Sequence, residues 1–216
     1  EALDFPLKPY TRYWYSIAVR SDQGEEALSR PCFFETGKLG EPWDGQWLGV
    51  EDGDTHPEFQ KTFTLPEKPR SARLYICGLG LFEAYINGEK AGDDLLAPFL
   101  NDYTEHFQYC TYDVTSLLAE DNTLSVLLGD GWYRGHFGLG EPTHYDRPLA
   151  LIAELRMEFA DGHRETLCSD SGWQYRGSFT TLSDIYNGET QDYTKALGDW
   201  KQPVLISAPG RLCDRY

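Results

Sequence analysis

Positive charge is scarce in this chain. Of 216 residues only 19 are Lys or Arg, against 35 Asp or Glu, for a formal net charge of −16. Such a surface repels phosphate backbones and anionic head groups, which argues against nucleic acid and membrane as partners. Long apolar runs are also missing, and none approaches the ~20 residues needed to span a bilayer. Cysteine is sparse and odd in number, with Cys32, Cys77, Cys110, Cys168 and Cys213 in no CxxC spacing. Neither a zinc site nor a disulfide framework is indicated. Cys77 and Cys110 fall in strand-like runs and read as reduced core residues, which favours the cytoplasm. Methionine occurs once, at Met157, and the chain starts at Glu1. It therefore reads as a processed or excised fragment, in which the lack of a leader says nothing about export. Catalytic signatures are absent as well: there is no GxSxG, Walker loop, HExxH or GxGxxG after a strand. His56, His106, His136, His144 and His163 stand at spacings without ligand logic and read as surface or loop histidines.

What is present is aromatic and turn-rich. Hydrophobic residues make up 40% and aromatics 14%, with 21 Gly. That is ample apolar surface for a core, and it tilts toward strands joined by tight turns. Thr11 to Arg20 alternates with period two, placing Tyr13, Tyr15, Ile17 and Val19 on one side. With the turn Ser21 to Gly24 and a strand from Ser29 to Thr36, it predicts one hairpin that needs a packing partner. From Trp43 onward, short strands recur: Pro57 to Thr64, Ser71 to Leu79, Leu81 to Asn87, Phe107 to Asp113 and Thr123 to Leu128. Asn87-Gly88 is a hairpin signal because both residues accept φ > 0. Leu149 to Phe159 and Arg164 to Ser169 flank the turn Ala160-Asp-Gly162, with Trp173 to Gly177 pairing onward and a single helical turn at Ser116 to Ala119. The spacing predicts an all-β fold, an antiparallel β-sandwich or barrel. Lys201 to Tyr216 lacks a hydrophobic period and reads as a linker toward a neighbouring domain.

Three segments carry candidate chemistry. Gly129-Asp-Gly-Trp-Tyr-Arg-Gly-His-Phe-Gly138 sets aromatics among four glycines directly after a strand. Glycine allows close backbone approach, Trp132 and Tyr133 offer faces that can stack on a sugar ring, and Arg134 offers a fork of donors. The alternative is that Trp132 plugs the end of a sandwich. Asn101-Asp102, beside Tyr103, places an amide next to a carboxylate, which suits Ca²⁺, bidentate recognition of sugar hydroxyls, or simply a turn. Glu189 and Asp192 form a carboxylate pair of the kind glycoside hydrolysis requires. With no second acid dedicated to the same cleft, the pair reads as a structural clamp.

Taken in series, Phe34-Glu-Thr-Gly37, Trp43 to Trp47, Ala84-Tyr-Ile-Asn-Gly88, Thr111-Tyr-Asp-Val-Thr115, Leu128-Gly-Asp-Gly-Trp-Tyr-Arg-Gly135 and Asn187-Gly-Glu189 with Asp192 resemble the bacterial α-L-rhamnosidases of glycoside hydrolase family 78. The resemblance implies that residues 38 to 200 form the N-terminal jelly-roll β-sandwich of that family. Residues 1 to 36 would then be the closing hairpin of a preceding fibronectin-III-like domain. In that family an (α/α)6 barrel further along the chain performs hydrolysis, so this region carries no catalytic residue and has that domain of the same parent protein as a partner. Its implied role is accessory, either recognition of a rhamnose-containing glycoside or support of the catalytic domain, with a purely structural interdomain module as the alternative. Some members bind rhamnose through Ca²⁺ in this sandwich. The carbohydrate-binding candidates are Asn101, Asp102, Tyr103, Trp132, Tyr133, Arg134 and Glu189. Phe99-Leu100 stands where a Trp-Thr pair is common in the family.

Overall fold

The computed structural model describes residues 5–51, 56–138, 140 and 148–214. The chain divides into two compact units, Glu1–Pro42 and Trp43–Tyr216.

The first unit is a ribbon of four short strands, β1 (Arg12–Tyr15), β2 (Ala18–Arg20), β3 (Glu26–Leu28) and β4 (Cys32–Glu35). The expected single hairpin is interrupted. β2 pairs with β3 around the turn at Gly24, and β1 pairs with β4, with no strand at Ser16-Ile17. Ile17 and Ser29 bridge the break, their backbone and hydroxyl groups exchanging hydrogen bonds at 2.8–2.9 Å. Tyr13 stacks on Phe34 at 5.3 Å, whereas Tyr15, Ile17 and Val19, on the same side of the sequence pattern, are exposed. Thr36 fastens the open end by accepting from the Thr11 amide and donating to the Lys8 carbonyl.

The second unit is an all-β sandwich. Its strands are β5 (Trp47–Gly49), β6 (Pro57–Thr64), β7 (Ser71–Leu79), β8 (Leu81–Ile86), β9 (Glu89–Lys90), β10 (His106–Gln108), β11 (Cys110–Asp113), β12 (Asp121–Gly129), β13 (Ala150–Glu158), β14 (Arg164–Cys168), β15 (Gln174–Gly177), β16 (Thr180–Asp184), β17 (Gly188–Gln191), β18 (Val204–Ile206) and β19 (Arg211–Cys213). One antiparallel sheet runs β11-β7-β13-β5-β18, with β14 also on β13; the other runs β15-β6-β12-β8-β9. Alternation decides which face each strand buries. In β12, Asn122, Leu124, Val126 and Leu128 point inward, and β8 answers with Phe82, Ala84 and Ile86. The two layers meet through contacts such as Phe82 against Tyr112, 6.5 Å between centroids. Cys77 and Cys110 are buried thiols outside any disulfide, as their strand positions suggest.

Asn87 and Gly88 both adopt positive φ, 54° and 84°, and close the hairpin onto the two-residue β9. The Phe107 to Asp113 run divides at Tyr109 into β10 and β11, and the helical turn expected at Ser116 to Ala119 occupies Thr115–Leu117. Two expectations fail on pairing partners. β15 leaves β14 behind and crosses to β6 in the opposite sheet, because Trp173, fully buried, turns the chain inward at that point. Residues 201 to 214 are no linker. β18 pairs with β5, and β19 forms a parallel ladder with β10. Their pairing is made by backbone groups on short strands with Val204 and Leu205 exposed, so no side-chain period announces it. A buried carboxylate, Glu154, accepts from the amides of Asp44 and Gly45 at 2.5 and 3.2 Å and thereby fastens the Trp43 to Trp47 segment to β13.

Candidate binding site

The glycine-flanked segment after β12 is a helical turn rather than an open loop. Gly131 has φ +51°, and a Cβ there would lie 2.4 Å from Leu81 Cγ, so only glycine lets the backbone enter the turn so close to β8. α1 (Gly131–Arg134) follows. Asp130 anchors it from the preceding position: its carboxylate lies 3.0 Å from His56 Nε2 and 3.0 Å from Arg134 Nε. His56, read from sequence as a loop residue, is buried by this contact.

The same turn aims Tyr133 into the core, where it has no exposed surface. Its ring meets Tyr103 edge-on at 5.0 Å, and Tyr103, 1% exposed, stacks in turn on Phe107. Tyr103 and Tyr133 therefore bring the two candidate loops together, and both rings lie in the core. Trp132 stays partly exposed. Arg134 pairs with Asp130 through its Nε. Asn101 is spent locally, its amide nitrogen donating to the Pro98 and Phe99 carbonyls and its oxygen accepting from the Gln108 amide at 3.0 Å. Asp102 accepts from the Thr104 hydroxyl and amide, and these bonds hold its carboxyl below the usual range. Both residues thus serve the turn. Of the six to eight oxygen ligands that Ca²⁺ takes, Asn101 Oδ1 and Asp102 Oδ1 already accept from protein donors within the turn.

A concave feature lies elsewhere, on the outer face of the five-stranded sheet beneath the β16–β17 hairpin. The hairpin comes down onto Gly129, where a Cβ would lie 2.2 Å from Ser183 Oγ. Asp184 is the rivet. Its side chain, 4% exposed, accepts from the His136 amide at 2.8 Å and the Tyr186 and Asn187 amides at 2.9 Å each, with His136 Nδ1 also 2.8 Å away. Burial works to raise its pKa, but these donors outweigh it and leave the group far below the ordinary carboxylate range. Between hairpin and sheet is a cavity of about 370 Å³ bordered by Leu81, Glu83, Leu127, Ile185, Glu189 and Gln191, among others. Glu83 is held by Lys90 Nζ and the Tyr85 hydroxyl, both at 2.6 Å. Burial pushes its pKa up, and the two hydrogen bonds more than offset this, so it stays charged; burial and Glu83 together push Tyr85 up to about 12. Glu189 accepts from Gln191 Nε2, while its sequence partner Asp192 accepts from Thr194, so the two carboxylates serve separate local bonds.

Of the residues expected to bind carbohydrate, only Glu189 borders this cavity. Glu83, Asp184 and Gln191 escaped the sequence reading. Glu83 was recoverable from the alternation of β8, which sends it outward between the inward Phe82 and Ala84. Asp184 was not, because two of its four donors are local turn amides of an ordinary kind and the other two, from His136, reach it only through tertiary packing. His144 lies outside the described residues.

The Alpha-L-rhamnosidase N-terminal domain family matches residues 67–208. An α-L-rhamnosidase of Streptomyces avermitilis is 40% identical over 148 residues, covering 68% of this chain and 14% of that protein. Among solved structures, an α-L-rhamnosidase from Dictyoglumus thermophilum superposes with a TM-score of 0.85 at 28% identity, over 97% of this chain and 27% of its own. One from Aspergillus terreus gives 0.83 at 29% identity, over 94% and 26%. The chain thus spans only a minor part of each of these relatives. With a family match over most of its length, an all-β sandwich in common and a relative at 40% identity, the chain belongs to the α-L-rhamnosidase N-terminal domain family.

Proposed function

We propose that this chain is the non-catalytic accessory portion of an α-L-rhamnosidase-like glycoside hydrolase and that its α1 end supports a neighbouring catalytic domain. The observation that carries this reading is the internal use of the candidate recognition groups. Asn101, Tyr103, Tyr133 and Arg134 all bond or pack within the sandwich, which leaves a rigid end bearing the partly exposed Trp132. A rigid, preorganised end is what a docking surface needs, since little ordering cost is left to offset the contact. The ribbon of residues 1 to 36, with Trp14 and Val19 exposed, is read in the same way as the closing hairpin of a fibronectin-III-like domain.

The test has two arms. The isolated chain is incubated with a nitrophenyl α-L-rhamnoside, where no nitrophenol is expected and sustained release would overturn the non-catalytic assignment. Trp132→Ala is then placed in the isolated chain and in the parent enzyme. A larger loss of melting temperature in the parent supports docking, and equal losses in both would reject it.

A further inference from the structure

We infer that the cavity beneath the β16–β17 hairpin is an anchor pocket for a bulky apolar side chain of a protein segment that carries Lys or Arg beside that anchor. The inference does not rest on docking of the α1 end. Its polar groups come first, because they are already satisfied inside the molecule. Glu83 accepts from Lys90 and Tyr85, Glu189 accepts from Gln191 Nε2, and Gln191 accepts in turn from the Tyr193 hydroxyl. Asp184 accepts from His136, Tyr186 and Asn187. What the cavity still offers an occupant is therefore apolar. Leu81 and Leu127 come from adjacent strands, Ile185 from the hairpin connection and Leu96 from the segment after β9. A space of about 370 Å³ takes a single large side chain, whereas a helix with its side chains is roughly 10 Å across and does not enter.

The apolar surface continues outside the cavity, where Leu95, Leu96 and Leu100 are each more than half exposed. Exposed leucines grouped beside an apolar wall mark an interaction surface. Leu96 stands at φ 58° and Phe99 at φ 71°, a left-handed conformation that bulky residues seldom adopt. The Ala97 carbonyl accepts from the Phe82 amide at 2.8 Å and the Leu96 carbonyl from the Phe99 amide at 2.7 Å, and these bonds keep the segment in place. Strain retained in a segment that turns leucines outward points to a use for them outside the fold. Charge then selects the partner. Lys90 neutralises Glu83, but Asp184 and Glu189 remain in the lining, which holds no Lys, Arg or His among the described residues. Asp93 and Asp94 lead directly into the leucines. Carboxylates around an apolar pocket attract flanking Lys or Arg and repel acidic segments. The same field disfavours a second copy of this chain, since each carries a formal charge of −16. An apolar anchor in a desolvated pocket with a charged rim is the arrangement in which a few side chains carry most of the binding energy.

The probe is a short synthetic peptide of Leu and Lys with one central Trp, titrated into the intact chain by calorimetry and by ¹H–¹⁵N NMR. Two control peptides accompany it, one with Glu for every Lys and one with Ser for every Leu and for the Trp. Saturable shifts centred on Leu81, Leu96, Leu127 and Ile185 are expected with the probe, and added salt should weaken its binding. Either control should bind more weakly by about tenfold or more. Leu127→Ser and Leu96→Asn, the latter introducing a residue that accepts positive φ, should each weaken the probe by a similar factor, while circular dichroism and melting show that both variants fold. Absence of saturable binding at this cavity overturns the site. So does equal binding of either control, or binding indifferent to both folded variants. A dimer of the free chain, seen by sedimentation and lost in Leu96→Asn, would put a second copy on this face and overturn it as well. The docking test reads melting of the parent enzyme and these titrations read peptide binding, so either proposal can fail alone.

Discussion

Tyr103 and Tyr133 meet edge to face, 5.0 Å between ring centroids with their planes at 63°, and neither is more than 1% exposed. One ring comes from the connection after β9 and the other from α1, so this contact ties the two segments most suggestive of ligand binding into one hydrophobic assembly that continues to Phe107. Aromatic pairs in this geometry add roughly 0.5–1.5 kcal/mol beyond the area they bury. Of the glycines around Trp132 and Tyr133, Gly131 and Gly129 allow the close approach to Leu81 and Ser183.

Removing the ring at position 133 should accordingly behave as a core truncation. Tyr133→Ala is expected to cost about 3–5 kcal/mol, in the range for emptying a buried aromatic site. Tyr103→Ala should cost a comparable amount, and the double variant less than the sum, because each single change already breaks the shared contact. Urea unfolding of the four species provides the cycle. An unchanged midpoint for Tyr133→Ala would mean that the ring is not part of the core.

Period-two alternation is a strong signal when one face is buried, and β6, β8 and β12 were legible in the sequence for that reason, whereas β13 is buried on both faces and begins as a continuous apolar run. Asn87-Gly88 was legible because a hairpin turn with two positive φ angles admits few residue pairs. β18 and β19 were not, since exposed strands such as Val204–Ile206 are held by backbone bonds to partners more than a hundred residues away. The site was legible only in part. Glycine and aromatic clustering singled out the 129–138 segment, but the direction of a ring is set by one helical turn that four glycines conceal. Glu189 was found by its residue type, and the cavity it borders needs Gly129 and Ser183 to be in contact, which no local pattern encodes.

That contact supports its own experiment. Gly129→Ala places a methyl group 2.2 Å from Ser183 Oγ and 3.0 Å from Ser183 Cβ, so the hairpin must lift. Overpacking of this kind costs about 1–3 kcal/mol. Adding Ser183→Gly removes both obstructing atoms and should restore part of the loss, while Ser183→Gly alone should be mildly destabilising through backbone entropy. Hydrogen exchange at the Thr180–Asp184 amides would localise the effect. If Gly129→Ala left that exchange unaltered, the hairpin would not rest on β12.

Acid should loosen the same hairpin through Asp184. Its pKa in the folded protein is held far below the usual carboxylate value, since the His136, Tyr186 and Asn187 donors overcome the upward push of burial. For a group depressed on folding, the stabilisation is complete above the unfolded-state pKa of roughly 4 and is lost as pH falls from there toward the folded value. Wild type should therefore lose stability on acidification below about pH 4 more steeply than Asp184→Asn, which cannot ionise. The gap between the two should be widest at neutral pH, where the charged acceptor makes its full contribution, and should narrow steadily into the acid range. Asp102, Asp161 and Asp192 are also depressed, but they are exposed and common to both proteins, so they cancel in the difference. Urea midpoints for the pair, measured between about pH 7 and pH 2.5, give the comparison. A gap that stays constant across that range would mean that Asp184 does not hold the hairpin through its charge.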